Sequence, residues 1–180
     1  MKPALELTSV PDWATTPTTP PADTTGRYWT VIAFGDAGAE VARGWNVEIA
    51  STGRESGVVV HELGADDAER ARDALLADLA DARVGWRLMM AGPASACLRL
   101  RGEAVAAGVG DDETTVASTD VGQRLVQCVH CRTVTAATVE LEQVIPCAGC
   151  GRNLLVYYHV SRRQGVHLGF MADAEEQAAS

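Results

Sequence analysis

Four of the five cysteines of this 180-residue chain lie between Cys128 and Cys150. They form two Cys-x-x-Cys pairs, Cys128-Val-His-Cys131 and Cys147-Ala-Gly-Cys150, separated by fifteen residues. Each pair can fold as a tight knuckle that points two thiolates at one cation, and two facing knuckles complete a tetrahedral four-sulfur shell. The spacing falls within the pattern expected for zinc. A disulfide framework needs an oxidising compartment. A redox dithiol needs one pair at the start of a helix, and neither pair opens a helical pattern. Iron held by the same knuckles, as in a rubredoxin-like electron carrier, stays open as an alternative. A closed four-cysteine shell has no position left for water. The expected metal is therefore structural zinc, supplying folding energy to a module of about 50 residues with little core of its own. His130, between two of the cysteines, reads as an exposed loop residue, and Cys97 as a buried, inert thiol.

The sequence around the cysteines supplies the elements that would hold them. "RTVTAATVELEQVIP" is rich in β-branched residues and suits a strand and its return. After Cys150, "NLLVYYHV", the turn "SRRQG" and "VHLGF" read as a β-hairpin. Knuckle, strands, knuckle, hairpin is the plan of a zinc ribbon, expected over residues 121–170.

Ahead of it, "RYWTVIAFG", "GVVVHELG", "WRLMMAG" and "ETTVAST" read as short buried strands. "ADDAERARDALLADLADARVG" carries Ala68, Ala71, Leu75, Leu76 and Leu79 at helical spacing after a capping-box-like Asp66 and Glu69. "PASACLRLRGEAVAAGVG" reads as a second helix, with Pro93 in its first turn, Gly102 weakening it and Gly108 beyond its end. Strands alternating with helices imply an α/β body with a small parallel sheet, Rossmann-like but degenerate, over residues 27–120. "FGDAGAE" follows the first strand where a phosphate-binding turn would. Its Gly35 and Gly38 are only a fragment of the pyrophosphate pattern, and a plain turn is the simpler reading.

Residues 1–26 hold five of the seven prolines and read as a flexible Pro/Thr-rich arm, and residues 171–180 as a disordered acidic tail. The chain is 47% apolar with a net charge of -9, which argues against nucleic acid as a main partner. The charge is uneven. Residues 121–170 carry five arginines against Glu140 and Glu142, a formal +3, while the remainder has ten basic against 22 acidic residues, or -12. No apolar run approaches the roughly 18 residues of a membrane span, and the N-terminus lacks a signal-peptide centre. A cytoplasmic protein with no membrane partner is expected. Trp13 in the arm and Arg162 and Arg163 in the hairpin turn are candidate contacts for a partner protein. His61, His159 and His167 have no catalytic partner at recognisable spacing.

Two family resemblances follow from these residues. "WRLMMAGPASACLRLRGEAVAAGVGDDETTVAST" resembles the last strand–helix–strand of the nicotinamide-binding domain of ferredoxin-reductase-type oxidoreductases. Gly92-Pro93 and Gly108-Val109 match that family's pattern, while Ala91 stands where it has a cysteine. No nucleotide binding is expected. "CVHC … CAGCGRNLLVYYHVSRRQGVHLGF" resembles the C-terminal domain of DmmA-type subunits of dimethylamine monooxygenase. That resemblance implies a non-catalytic subunit of a bacterial multi-subunit enzyme that demethylates dimethylamine to methylamine and formaldehyde. It places haem on an oxygenase subunit, and FMN and an iron–sulfur cluster on an NAD(P)H-dependent reductase subunit, with this chain supporting assembly and electron delivery. The ribbon cysteines of that family carry over to Cys128, Cys131, Cys147 and Cys150, and no catalytic residue carries over. A self-standing nicotinamide- or flavin-binding reductase is the remaining alternative.

Overall fold

The computed structural model describes residues 3–54 and 57–172, so the expected tail lies almost wholly outside the described residues. The body is a four-stranded sheet, β1 (Tyr28–Phe34), β2 (Val58–Leu63), β3 (Trp86–Pro93) and β4 (Thr114–Asp120), in the order β2-β1-β3-β4. All three pairings are parallel. Helix α1 (Gly35–Ala50) covers one face, while α2 (Ala68–Ala80) and α3 (Ala94–Ala106) cover the other. This is the α/β arrangement that alternating strands and helices imply.

Alternation along β1 shows how the sequence builds two cores. Trp29, Val31 and Ala33 point to the α1 layer and pack with Ala42, Trp45 and Ile49. Ile32 and Phe34 point the other way, to Ala71, Leu75, Leu100 and Ala104. A strand buried on both faces reads as a continuous apolar run, which is why "YWTVIAF" shows no period of two.

α1 forms where the sequence suggested only a turn. Glycines at 35, 38 and 44 and the β-branched Val41, Val47 and Ile49 lower its propensity. Its buried residues Gly38, Ala39, Ala42, Trp45 and Ile49 nevertheless recur on one face, and that face decides the outcome. α2 starts at Ala68 rather than with a capping box. The Asp67 carboxylate instead accepts hydrogen bonds from the Gly64 N–H and from Arg70, both at 3.1 Å. Pro93 ends β3 and directly precedes α3.

The second sheet has five strands, β5 (Gln123–Cys128), β6 (Val134–Thr138), β7 (Val144–Pro146), β8 (Asn153–Ser161) and β9 (Val166–Met171). Their order is β6-β5-β9-β8-β7. The β8–β9 hairpin and the β5–β6 and β7–β8 pairs are antiparallel, but β5 runs parallel to β9, a pairing the sequence did not suggest. β8 serves two cores. Leu154 and Val156 pack around the cysteines, whereas Tyr158 and Val160 pack with Leu98 of α3.

Residues 3–26, expected to be a flexible arm, lie against both sheets. Val10 and Ala14 are buried with Leu98, Tyr158 and Val160, and the Ser9 hydroxyl accepts from the Val160 N–H at 2.9 Å. Further on, Thr18 exchanges main-chain hydrogen bonds with Ser118 at 3.0 and 2.9 Å. The carbonyls of Pro20 and Asp23 accept from the indoles of Trp45 and Trp29 at 2.9 and 2.7 Å. Proline removes amide donors but leaves carbonyl acceptors, and it limits the freedom of the unfolded chain. A proline-rich segment can therefore be held by a few such contacts.

Candidate metal centre

The four cysteine sulfurs lie within 4.8 Å of one another. Cys128 Sγ is 3.8 Å from Cys150 Sγ, and Cys131 Sγ is 3.5 Å from Cys147 Sγ. A disulfide would need about 2.05 Å. A tetrahedron with metal–sulfur bonds of about 2.3 Å has edges of about 3.8 Å, so the four sulfurs fit one thiolate-bound ion.

The two knuckles are built alike. Cys128 donates its N–H to the Thr133 carbonyl and accepts from the Arg132 N–H, both at 2.9 Å. Cys147 donates to the Arg152 carbonyl at 2.8 Å and accepts from the Gly151 N–H at 3.0 Å. The fourth residue after each leading cysteine turns left-handed, Gly151 at φ 71° and Arg132 at φ 64°. Glycine adopts that conformation freely, while arginine there carries strain.

Gly149 is a functional position that spacing did not single out. A Cβ on it would stand 2.2 Å from the Thr133 hydroxyl and 3.2 Å from Cys131 Sγ. Only glycine lets the second knuckle close on the first. The signal was present in "CAGCG", but the sequence does not say which glycine serves the turn and which the contact.

Hydrogen bonding favours the thiolate at two of the sulfurs. Hydrogen bonding from Thr133 lowers the Cys131 thiol to about 6. The Arg152 N–H, together with its side chain, lowers Cys150. Burial raises Cys128. Arg152 Nη1 also donates to His130 Nδ1 at 3.0 Å, and His130 is exposed beside the sulfurs. Cys97 is a separate case. It is fully buried on the sheet-facing side of α3, and burial pushes its thiol up to about 12.

The other candidate residues are placed elsewhere. Trp13 packs half-buried against the core around α3, so most of its surface is used within the chain. Arg162 pairs with Asp111, which also holds Arg101 at 2.7 Å. Arg163 stays exposed at the turn. The turn itself rests on α3. A Cβ on Gly165 would meet the Leu98 carbonyl oxygen at 2.0 Å, and one on Gly102 would meet the Gly165 nitrogen at 2.9 Å. Gly102, which seemed to weaken α3, is where the hairpin seats.

The glycines of the apparent nucleotide turn are also used internally. A Cβ on Gly38 would stand 2.5 Å from the Ala91 oxygen, and one on Gly92 2.6 Å from the Phe34 Cβ. They let α1 and the ends of β1 and β3 close on one another. Among the described residues, no helix is long and apolar enough to cross a membrane.

Fold and site together define a parallel α/β body that carries a four-cysteine ribbon. Residues 125–170 match the family described as "Dimethylamine monooxygenase subunit DmmA-like, C-terminal domain". The C-terminal part of the chain is similar to that domain, and the chain resembles DmmA-type subunits. It is 43% identical over 98 residues to the "Heme-dependent oxidative N-demethylase delta subunit" of Ectopseudomonas mendocina (strain ymp). The match covers 54% of this chain and 55% of that relative, so only about half of the relative's length is spanned. No solved structure matches the chain.

Proposed function

We propose that the chain is a non-catalytic, cytoplasmic subunit of a haem-dependent enzyme that oxidatively demethylates dimethylamine to methylamine and formaldehyde. The match of the ribbon to the DmmA-like domain carries this reading, and the delta-subunit relative supports it. In this reading haem sits on an oxygenase subunit, and FMN and an iron–sulfur cluster sit on an NAD(P)H-dependent reductase subunit. This chain holds the two together for electron delivery.

Cys128, Cys131, Cys147 and Cys150 would hold zinc, whose part is to cross-link the two knuckles. With four thiolates the shell is closed, so the ion folds the ribbon and activates no water. Arg163 and the exposed side of the hairpin turn remain the partner contact proposed for this end of the molecule.

The test is reconstitution. The chain co-purified with its haem and reductase subunits should contain about one zinc. Omitting the chain should abolish NAD(P)H-driven formaldehyde release from dimethylamine. Full activity without the chain would refute the assembly role. Iron as the main metal, with an orange colour, would favour a rubredoxin-like carrier instead.

A further inference from the structure

The two edges of the parallel sheet are treated differently. The β4 edge is met by the chain itself at one point, the Thr18–Ser118 bridge. Beyond β2 no strand pairs among the described residues. All six residues of β2 stay in regular register with β1. Every second amide and carbonyl of β2 therefore points outward, into the place of a next strand. In the doubly wound order that β2-β1-β3-β4 follows, this strand ends the sheet.

β2 lacks several of the devices that usually blunt an edge. Its sequence, VVVHEL, has neither proline nor lysine, and its register shows no bulge. His61 is turned inward to Asp78 at 2.9 Å. Glu62 stands at the far end, 3.9 Å from Arg43. Between them and the strand's start lie Val59 and Val60, 47% and 40% exposed. Pairing with Thr30 places Val59 on the α2 face, and pairing with Val31 places Val60 on the α1 face. Each of those helices adds an exposed apolar residue in its own layer, Leu76 in α2 and Val47 in α1.

Charge selects the occupant. Beside Val59 opens a cavity of about 390 Å³ whose lining includes Tyr28, Trp86, Asp78 and Asp81, against the single basic residue Arg83. The Asp81 carboxylate, the Asp78 carboxylate that already meets Thr30 and His61 at 2.9 Å, aromatic rings and the C-terminal end of α2 favour a cation.

We propose that β2 accepts a strand from a sister polypeptide, an extended segment of alternating apolar residues with a lysine or arginine that enters this cavity. The proposal rests on the heteromeric reading above. Main-chain hydrogen bonds supply affinity in such strand addition, and side-chain pockets supply register.

Hydrogen exchange should be compared between the isolated full chain and the chain co-expressed with its haem and reductase subunits. The outward amides of β2 are expected to slow at least about tenfold in the complex. Val60→Lys should cut co-purification about tenfold, and Asp81→Asn should cut it less, with zinc content and circular dichroism unchanged. A complex that forms while β2 exchanges as fast as in the free chain overturns this inference alone. So does a β2-paired dimer of the isolated chain in sedimentation, which would assign the edge to a second copy. If no complex forms, both this inference and the proposed function fall.

Discussion

Replacing Gly165 by alanine tests how the ribbon is joined to the body. The residue sits at φ 61°, and its Cβ would stand 2.0 Å from the Leu98 carbonyl oxygen and 2.4 Å from the Leu98 carbonyl carbon. Both contacts are main chain within α3, so no rotamer change relieves them. Forcing an L-residue into the left-handed region costs about 1–2 kcal/mol. Overpacking a closed contact adds about 1–3 kcal/mol. The expected loss is about 2–5 kcal/mol, a large share of the roughly 5–15 kcal/mol that stabilises a domain. Gly53 separates the two terms, because it has φ 72° and nothing within 4 Å of its Cβ. Gly53→Ala should lose only the conformational part, about 1–2 kcal/mol. Urea unfolding followed by tryptophan fluorescence reads both variants, with Trp13 near the joint as a reporter. Equal losses for the two variants, within about 0.5 kcal/mol, would show that the hairpin tip does not rest on α3.

Cys147→Ser should release the metal and unfold the ribbon while the α/β body keeps its helical circular dichroism, read by elemental analysis alongside the spectrum. Arg132→Gly relieves a left-handed arginine and should hold stability level or raise it by up to about 1 kcal/mol in urea. Burial, helped by the nearby Arg124, depresses the folded pKa of His167 to about 4 from 6.5. The unfolded chain thus binds the extra proton first, so this contribution is complete above pH 6.5 and is lost as pH falls towards 4. A zinc bound as proposed would also be released in acid over a similar range. The quantity to measure is therefore the difference between parent and His167→Gln, which should change by about 3 kcal/mol across that window. Arg162→Ala breaks only an exposed pair with Asp111 and should shift stability by less than about 1 kcal/mol.

The four-cysteine cluster was the most legible part of the sequence because its geometry is local. Cys-x-x-Cys forces two sulfurs together over four residues, and only the meeting of the pairs depends on the fold. The buried strands were legible for a similar reason, since double-sided burial leaves an unbroken apolar run. α1 was hidden because the first half of its buried face is Gly38, Ala39 and Ala42, whose small size carries little hydropathy signal ahead of Trp45 and Ile49. The parallel β5–β9 pairing was invisible because it joins residues about forty positions apart. The arm misled for a different reason. Its composition describes a chain with little to bury, yet Val10, Ala14 and Ala22 are enough when tryptophan indoles also reach its carbonyls.

The same glycines argue against a nucleotide on the α/β body. Where a dinucleotide binds, glycine serves to keep the backbone open so that pyrophosphate can reach a helix N-terminus. Here Gly38 lies over the Ala91 carbonyl, and Gly92 presses on Phe34, so the freed space is filled by the protein itself. Gly35 turns left-handed with open space around it, but it is the one glycine of the group left facing outward. One free turn supplies too few amides to cradle two phosphates. The isolated chain should therefore show no NADPH binding in calorimetry at micromolar concentration. Gly38→Ala offers the sharper discrimination. If Gly38 served a ligand, the variant would fold normally and lose only binding. If it serves packing, a Cβ 2.5 Å from main chain must push α1 off β3 and lower the urea midpoint with no ligand present. A stable Gly38→Ala protein, or micromolar affinity in the parent, would return the body to the reductase class.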